Sequence, residues 1–210
     1  MIPSIHPIKI LAVDDHPLFR EGISALIGDE SDMQLIATAS SGAEAIEQFR
    51  LNSPDITLMD LRLPDMGGID ALVAIRREFE KAKIIVLTTY AGDVLAKRAL
   101  MAGARAYMLK DLPKARILDT IRTVHHGGLW IQPEVAADLA DRASDPPLTA
   151  RELDVLTLIA AGNSNKETAA ALGIDDQTVK GHVRNLLTKL GARDRTQAAI
   201  IAYERGYLGP

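Results

Sequence analysis

Five short apolar runs punctuate the first 110 residues of the chain, and each gives way to a polar or charged residue: Lys9 to Val13, Met33 to Ala39, Ile56 to Met59, Lys83 to Thr88 and Ala106 to Leu109. Strands with one face in water alternate apolar and polar positions; these runs are apolar throughout, as in strands of a parallel sheet covered on both faces. Between them the pattern changes to a helical period, over Pro17 to Ile27, Ala43 to Leu51, Ile69 to Phe79, Val94 to Ala102 and Pro113 to His125. Five βα units in succession predict a three-layer α/β domain. Pro17 suits a first helical turn, where a missing N–H costs nothing, and Gly28, Gly103 and Gly127 stand where helices should end.

The pattern then breaks. From Gly127 to Pro147 the chain carries paired glycines, an isolated Trp130, Pro133, an acidic segment with some helical character, and paired prolines, which together read as a linker, with Trp130 anchoring it to a domain. Four compact helical patterns follow. Thr149 with Glu152 and Ser164 with Glu167 have the spacing of capping boxes, Asp176 is placed to cap a third helix reaching Leu190, and Asp194 or Thr196 a fourth through Tyr207. The third helix follows the second after a tight turn at Gly173, which is helix-turn-helix spacing. The expected domains are therefore residues 8–126, a linker over 127–147, and residues 148–208.

Composition narrows the setting. At 210 residues and 47% hydrophobic content the chain can build two small packed cores, and with no cysteine it has neither disulfides nor thiolate chemistry. The opening residues lack a basic segment leading into a long apolar core, and no apolar span is long enough for a membrane helix, so a cytoplasmic protein without a membrane partner is expected. A formal net charge of -4 excludes no partner, because the charge is uneven: between residues 177 and 195, Lys180, Arg184, Lys189, Arg193 and Arg195 face only Asp194.

The chemistry gathers at the ends of the apolar runs. Asp14 and Asp15 follow the first and Asp60 follows the third, and open α/β sheets place functional groups just beyond the carboxyl ends of their strands. Crowded carboxylates repel one another, and a hard cation such as Mg2+ relieves that repulsion while keeping several of its waters. Five histidines, including adjacent His125 and His126, form no metal-ligand pattern with cysteine or carboxylate.

The segments VDDHP, MDLRLPDMGGID, VLTTY and AYMLKD, followed by LTARELDVLTLIAAGNSNKETAAALGIDDQTVKGHVRNLLTKLGARDRTQA, resemble a bacterial two-component response regulator of the NarL/FixJ family, with a receiver domain and a LuxR-type helix-turn-helix domain. The resemblance runs from residue 8 to residue 208. It implies a doubly wound, five-stranded parallel sheet with the flavodoxin-like order 2-1-3-4-5, followed by a small all-α domain of four helices. It also implies a transcriptional regulator, not an enzyme beyond its own phosphoryl transfer and dephosphorylation. In this reading Asp60 is the phosphoacceptor, loaded by a sensor histidine kinase. Asp14, Asp15, Asp60 and the backbone carbonyl of Arg62 hold Mg2+, and Thr88, Tyr107 and Lys110 are the switch threonine, switch aromatic and phosphate-contacting lysine. In the second domain, Lys180 and Arg184 reach bases or nearby phosphates of promoter DNA, with Thr178, Gly181, His182, Lys189, Asn165 and Lys166 on the same contact surface. The last helix pairs two copies on DNA, and RNA polymerase is a further partner.

The residues supply reasons for these roles. Val179, Val183, Leu186, Leu187 and Leu190 make one apolar side of the third helix, leaving Lys180, Gly181, Arg184 and Asn185 on the other. Phosphatases that use an aspartate nucleophile carry a second aspartate two residues later, and here that position is Arg62. The receiver pattern in which proline follows the phosphate-contacting lysine is not followed, since Asp111 stands there.

Overall fold

A computed structural model describes residues 6–208; Met1 to Ile5, part of the opening segment considered above, lie outside the described residues. Contacts divide the chain into two units, the first running to Thr89 and resuming over Ala96–Ala136, the second comprising Tyr90–Leu95 and the residues from Ala137 onward.

The first unit is built on a parallel sheet. Strands β1 (Ile8–Val13), β2 (Met33–Ala39), β3 (Ile56–Met59), β4 (Ile84–Thr88) and β5 (Ala106–Leu109) alternate with helices α1 (Pro17–Gly28), α2 (Gly42–Asn52), α3 (Gly68–Glu78), α4 (Asp93–Met101) and α5 (Lys114–His125). The strand order is β2-β1-β3-β4-β5, as expected, but a sixth strand, β6 (Trp130–Ile131), extends the sheet. This corrects the five-strand expectation. The edge of β5 presents unpaired backbone groups, and the chain after α5 satisfies them: Trp130 N–H donates to Arg105 O at 3.1 Å and Gln132 N–H to Tyr107 O at 3.1 Å. Two residues are too few to leave a periodic signal in the sequence.

Both faces of the sheet are covered, which is why its inner strands β3 and β4 are buried along their whole length, while the edge strand β2 keeps the exposed polar residues Gln34 and Thr38. Ile10, Ala12, Ile56, Leu58, Ile85, Leu87, Ala106 and Met108 pack with Ile23 and Ile27 of α1 and Ile117, Ile121 and Val124 of α5. The alternate positions Leu11, Val13, Met59, Val86 and Tyr107 turn to the opposite face and are also buried. At about 25 cal/mol per Å² of apolar surface, burial on both faces is the main force holding the strands in register.

Helix ends follow local chemistry. Pro17 opens α1, and Ser41 caps α2 by accepting from the Glu44 amide at 3.2 Å. Asp65 ties the β3–α3 loop to the start of α2, its two oxygens accepting from the Gly42 and Ala43 amides at 2.8 Å each, and these bonds hold its carboxyl below the usual carboxylate range. Gly103 and Gly127 end their helices in the left-handed region, with φ of 104° and 90°. After β6, helix α6 (Pro133–Asp141) occupies much of the segment expected to link the domains.

The second unit contains α7 (Ala150–Ala160), α8 (Asn165–Leu172), α9 (Asp176–Leu190) and α10 (Arg195–Arg205). Both predicted capping boxes are formed, at Thr149 with Glu152 and Ser164 with Glu167. Asp175, not Asp176, caps α9, accepting from Thr178 N–H at 2.8 Å, and Asp194 caps α10. The cap must lie three residues before the amide it satisfies, and Thr178 occupies that place relative to Asp175. Val155, Leu156, Val179, Leu186, Leu190, Ala198 and Ala202 form the core. Among the described residues, no helix is long and apolar enough to cross a membrane.

Candidate functional site

Sheet order brings the carboxyl ends of β1, β3, β4 and β5 side by side, and hydrogen bonds continue the ladder just past them. Asp60 N–H donates to Val13 O at 2.9 Å and Lys110 N–H to Thr88 O at 2.8 Å, so backbone hydrogen bonds fix the start of these candidate residues at the same edge of the sheet. The Asp14 and Asp60 side chains are almost wholly buried, while Asp15 keeps partial contact with solvent.

One lysine organises the cluster. The Lys110 ammonium lies 2.5 Å from Asp14 Oδ2 and 2.6 Å from Asp60 Oδ2, and 4.5 Å from the centre of the Phe19 ring. Burial pushes this ammonium down, but hydrogen bonds and charge from Asp14 and Asp60 outweigh it and hold its pKa above the ordinary lysine value. The second Asp60 oxygen, Oδ1, accepts from Leu61 N–H at 2.6 Å and, more weakly, from Arg62 N–H at 3.4 Å. The Asp60 carboxylate is therefore aimed by two backbone amides and one cation.

Four further side chains belong to this end of the sheet. His16 Nδ1 lies 3.2 Å from Asp14 Oδ1 and 2.7 Å from Asp15 Oδ1, and Arg20 donates to the Asp14 carbonyl at 2.6 Å. Thr88 is fully buried, and its hydroxyl has no hydrogen-bond partner among the described residues. Tyr107 is also fully buried, and desolvation together with the Asp60 charge pushes its phenol pKa up.

Ligand atoms of Asp14, Asp15, His16 and Asp60 all lie within 4.8 Å of one another. Three carboxylates offer hard oxygen donors at a mouth open through Asp15, a donor set suited to a divalent cation that retains water. The predicted acceptor, acidic pair and lysine are thus brought together. Arg62 is exposed beside them, with its amide turned toward Asp60. Sequence reasoning assigned no role to His16, Phe19 or Arg20, although all three fall within six residues of the acidic pair. Gly68 was missed as well. A Cβ there would stand 2.0 Å from Asp60 O and 2.8 Å from Leu61 Cα, so the paired glycine of MGGID lets α3 start directly against the Asp60–Leu61 backbone.

In the second unit, α9 presents Thr178, Lys180, Gly181, Arg184 and Asn185 to solvent. Lys180 pairs with Asp176 one turn earlier at 2.7 Å, an exposed pair that costs little to release. Among the described residues, no atom beyond its chain neighbours and its own helix backbone lies within 4 Å of where a Gly181 Cβ would stand, so tertiary packing does not require glycine there. His182 is half-buried, and Asn165 and Lys166 open α8, with Lys166 exposed. Lys189 differs from the rest: its ammonium donates to Glu152 Oε2 at 2.7 Å and Pro147 O at 3.1 Å, tying α9 to the start of α7.

Comparison with known proteins agrees with this arrangement. Residues 10–122 match the response regulator receiver domain, and residues 146–202 match the bacterial regulatory proteins of the luxR family. The response regulator protein VraR of Staphylococcus aureus is 39% identical over 206 residues, covering 96% of this chain and 99% of VraR. Among solved structures, ChrA, the response regulator of a heme-sensing two-component system, is 31% identical with a TM-score of 0.58, covering 96% of this chain and 99% of ChrA. An RcsB–DNA complex, 20% identical with a TM-score of 0.72 and covering 95% of this chain and 99% of that one, shares the fold. The chain belongs to the response regulators that join a receiver domain to a luxR-family DNA-binding domain.

Proposed function

We propose that Asp60 accepts a phosphoryl group from a sensor histidine kinase, and that this event controls promoter binding by α9. The observation that carries the reading is the Lys110 ammonium joining Asp60 to a second buried carboxylate, Asp14, at the carboxyl edge of the sheet where β4 ends in Thr88, whose buried hydroxyl has no partner among the described residues. In the step itself, a carboxylate oxygen of Asp60 bonds to phosphorus as the bond to the donor's nitrogen or oxygen breaks, leaving an acyl phosphate. Asp14, Asp15, Asp60 and the Arg62 carbonyl would hold Mg2+, which would supply positive charge to offset that of the transferring group. Lys110 exchanges its contact with Asp60 for one with a phosphoryl oxygen. The Thr88 hydroxyl gains a partner only when those oxygens arrive, and its inward movement shifts the space available to Tyr107.

Residues 8–126 serve as the receiver, 127–147 as the connection and 148–208 as the DNA-binding domain. The exposed face of α9 enters the major groove, with Lys180 and Arg184 at bases or adjacent phosphates. Thr178, His182, Asn165 and Lys166 support them, and Gly181 allows close approach where nothing else demands a glycine. Lys189 acts at one remove, by fixing the angle of α9 against α7. Two copies pair through α10, presenting their recognition helices to half-sites about 10 bp apart. RNA polymerase at the promoter is the further partner, and the cytoplasm the site of action.

Acetyl phosphate with Mg2+ should label the wild type and leave Asp60→Asn unlabelled; equal labelling of both would remove the mechanism. Lys180→Ala and Arg184→Ala should weaken binding to promoter DNA while Asp60 is labelled normally. Binding should fall steeply with salt, since phosphate contacts release counterions.

A further inference from the structure

At the end of β4 and β5 opposite the acidic cluster, a recess of about 430 Å³ is lined by Arg76, Lys81, Lys83, Arg105 and Glu80, with Val124 and Gly127 at its wall. Four cations against one carboxylate is an unusual balance for a recess in a chain of net negative charge. Among the described residues none of these four cations is in an ion pair, whereas Arg50, Arg122 and Lys189 each sit on a carboxylate.

Two of the four are held in place by backbone. Arg76 donates to Ala82 O at 3.0 Å and stretches across Gly103, where a Cβ would stand 2.3 Å from its Nε. Lys83 donates to His125 O at 2.6 Å. A guanidinium and an ammonium fixed this way keep further N–H groups for a ligand and lose little freedom when one binds. Lys81 and Arg105 are exposed at the rim, without side-chain partners among the described residues. The lining contains no aromatic ring, so nothing in it would stack on a base.

We propose that this recess binds a small diphosphate-bearing anion, recognised by its charge and its oxygens, whether free pyrophosphate or the tail of a nucleotide. The size is adequate for such a ligand. The site uses neither Asp60 nor the DNA-binding face.

The test is calorimetric titration of the full chain at low salt without Mg2+, using pyrophosphate, ADP and AMP in separate arms. Pyrophosphate and ADP should bind alike and AMP more weakly, and the Lys81→Ala/Arg105→Ala double variant should lose about tenfold in affinity. The Lys180→Ala/Arg184→Ala variant should bind as the wild type does. Amide resonances of Val124 and Gly127 should shift on titration. Absence of saturable binding up to about 10 mM would overturn the proposal, showing that Arg76 and Lys83 serve only the carbonyls they touch and that Lys81 and Arg105 are solvated. So would equal affinity in the rim variant, or binding of ADP without binding of pyrophosphate.

Discussion

Replacing Thr88 by valine should stabilise the unphosphorylated protein and impair its switch, a combination ordinary core substitutions do not give. Thr88 has no exposed surface, and its hydroxyl lacks a partner among the described residues. A buried unpaired hydroxyl costs about 1–3 kcal/mol, and valine replaces it with a methyl group of nearly the same shape. A gain of about 1 kcal/mol is expected, raising the melting temperature of the receiver by roughly 3 °C. In the phosphorylated state the sign reverses, because a hydroxyl bonded to a charged oxygen contributes about 1.5–3 kcal/mol. The ratio of DNA affinities with and without phosphorylation should then fall by about tenfold or more. Urea unfolding of the unphosphorylated forms gives the first quantity, and promoter binding before and after acetyl phosphate treatment the second. Thr88→Ala is the control, since losing the methyl as well should destabilise. If Thr88→Val lowers stability by about 1 kcal/mol, as most buried substitutions do, the hydroxyl has a partner in the resting state and the reasoning fails.

Gly68→Ala should cost about 1–3 kcal/mol in chemical denaturation and reduce Asp60 labelling, because the new Cβ meets backbone of Asp60 and Leu61, which cannot rotate away. Lys110→Ala leaves the buried Asp14 and Asp60 without their cation; stability at neutral pH should fall by about 3 kcal/mol, and Mg2+ should restore much of it in thermal melts. In the second unit, burial pushes the Glu152 carboxyl up, but Lys189 and the Thr149 backbone and hydroxyl more than reverse this and hold it below its ordinary value. A depressed folded pKa means the unfolded chain binds more protons. That contribution is complete above about pH 5 and disappears as pH falls below about 4.3 through the folded value, so acid unfolding should show a loss in the wild type that Glu152→Gln lacks.

Much of the acidic cluster and its surroundings could be read along the chain because its residues are tied to strand ends. Asp14, Asp15, Asp60, Thr88 and Lys110 each follow or close an apolar run, and a parallel sheet collects such positions at one edge. The α9 face was legible for a similar reason, since helical period alone separates Val179, Leu186 and Leu190 from Lys180 and Arg184. Other features left no such signal. His16, Phe19 and Arg20 approach the acidic pair only because α1 starts immediately beyond it. Lys189 lies in the same basic run as Arg184, and only the packing of α7 against α9 turns its ammonium to Glu152.

Amino-acid order alone determined where the first five strands and most of the helices lie and which carboxylates crown the strands, because burial periodicity and capping act over a few residues. Tertiary structure alone decided which atoms touch: that Lys110 bridges Asp14 and Asp60, that the Thr88 hydroxyl is left without a partner, that β6 closes the sheet edge, and that four cations gather at the opposite end. Those contacts join residues dozens of positions apart. Their distances depend on sheet order, helix packing and side-chain rotamers, which no local pattern carries.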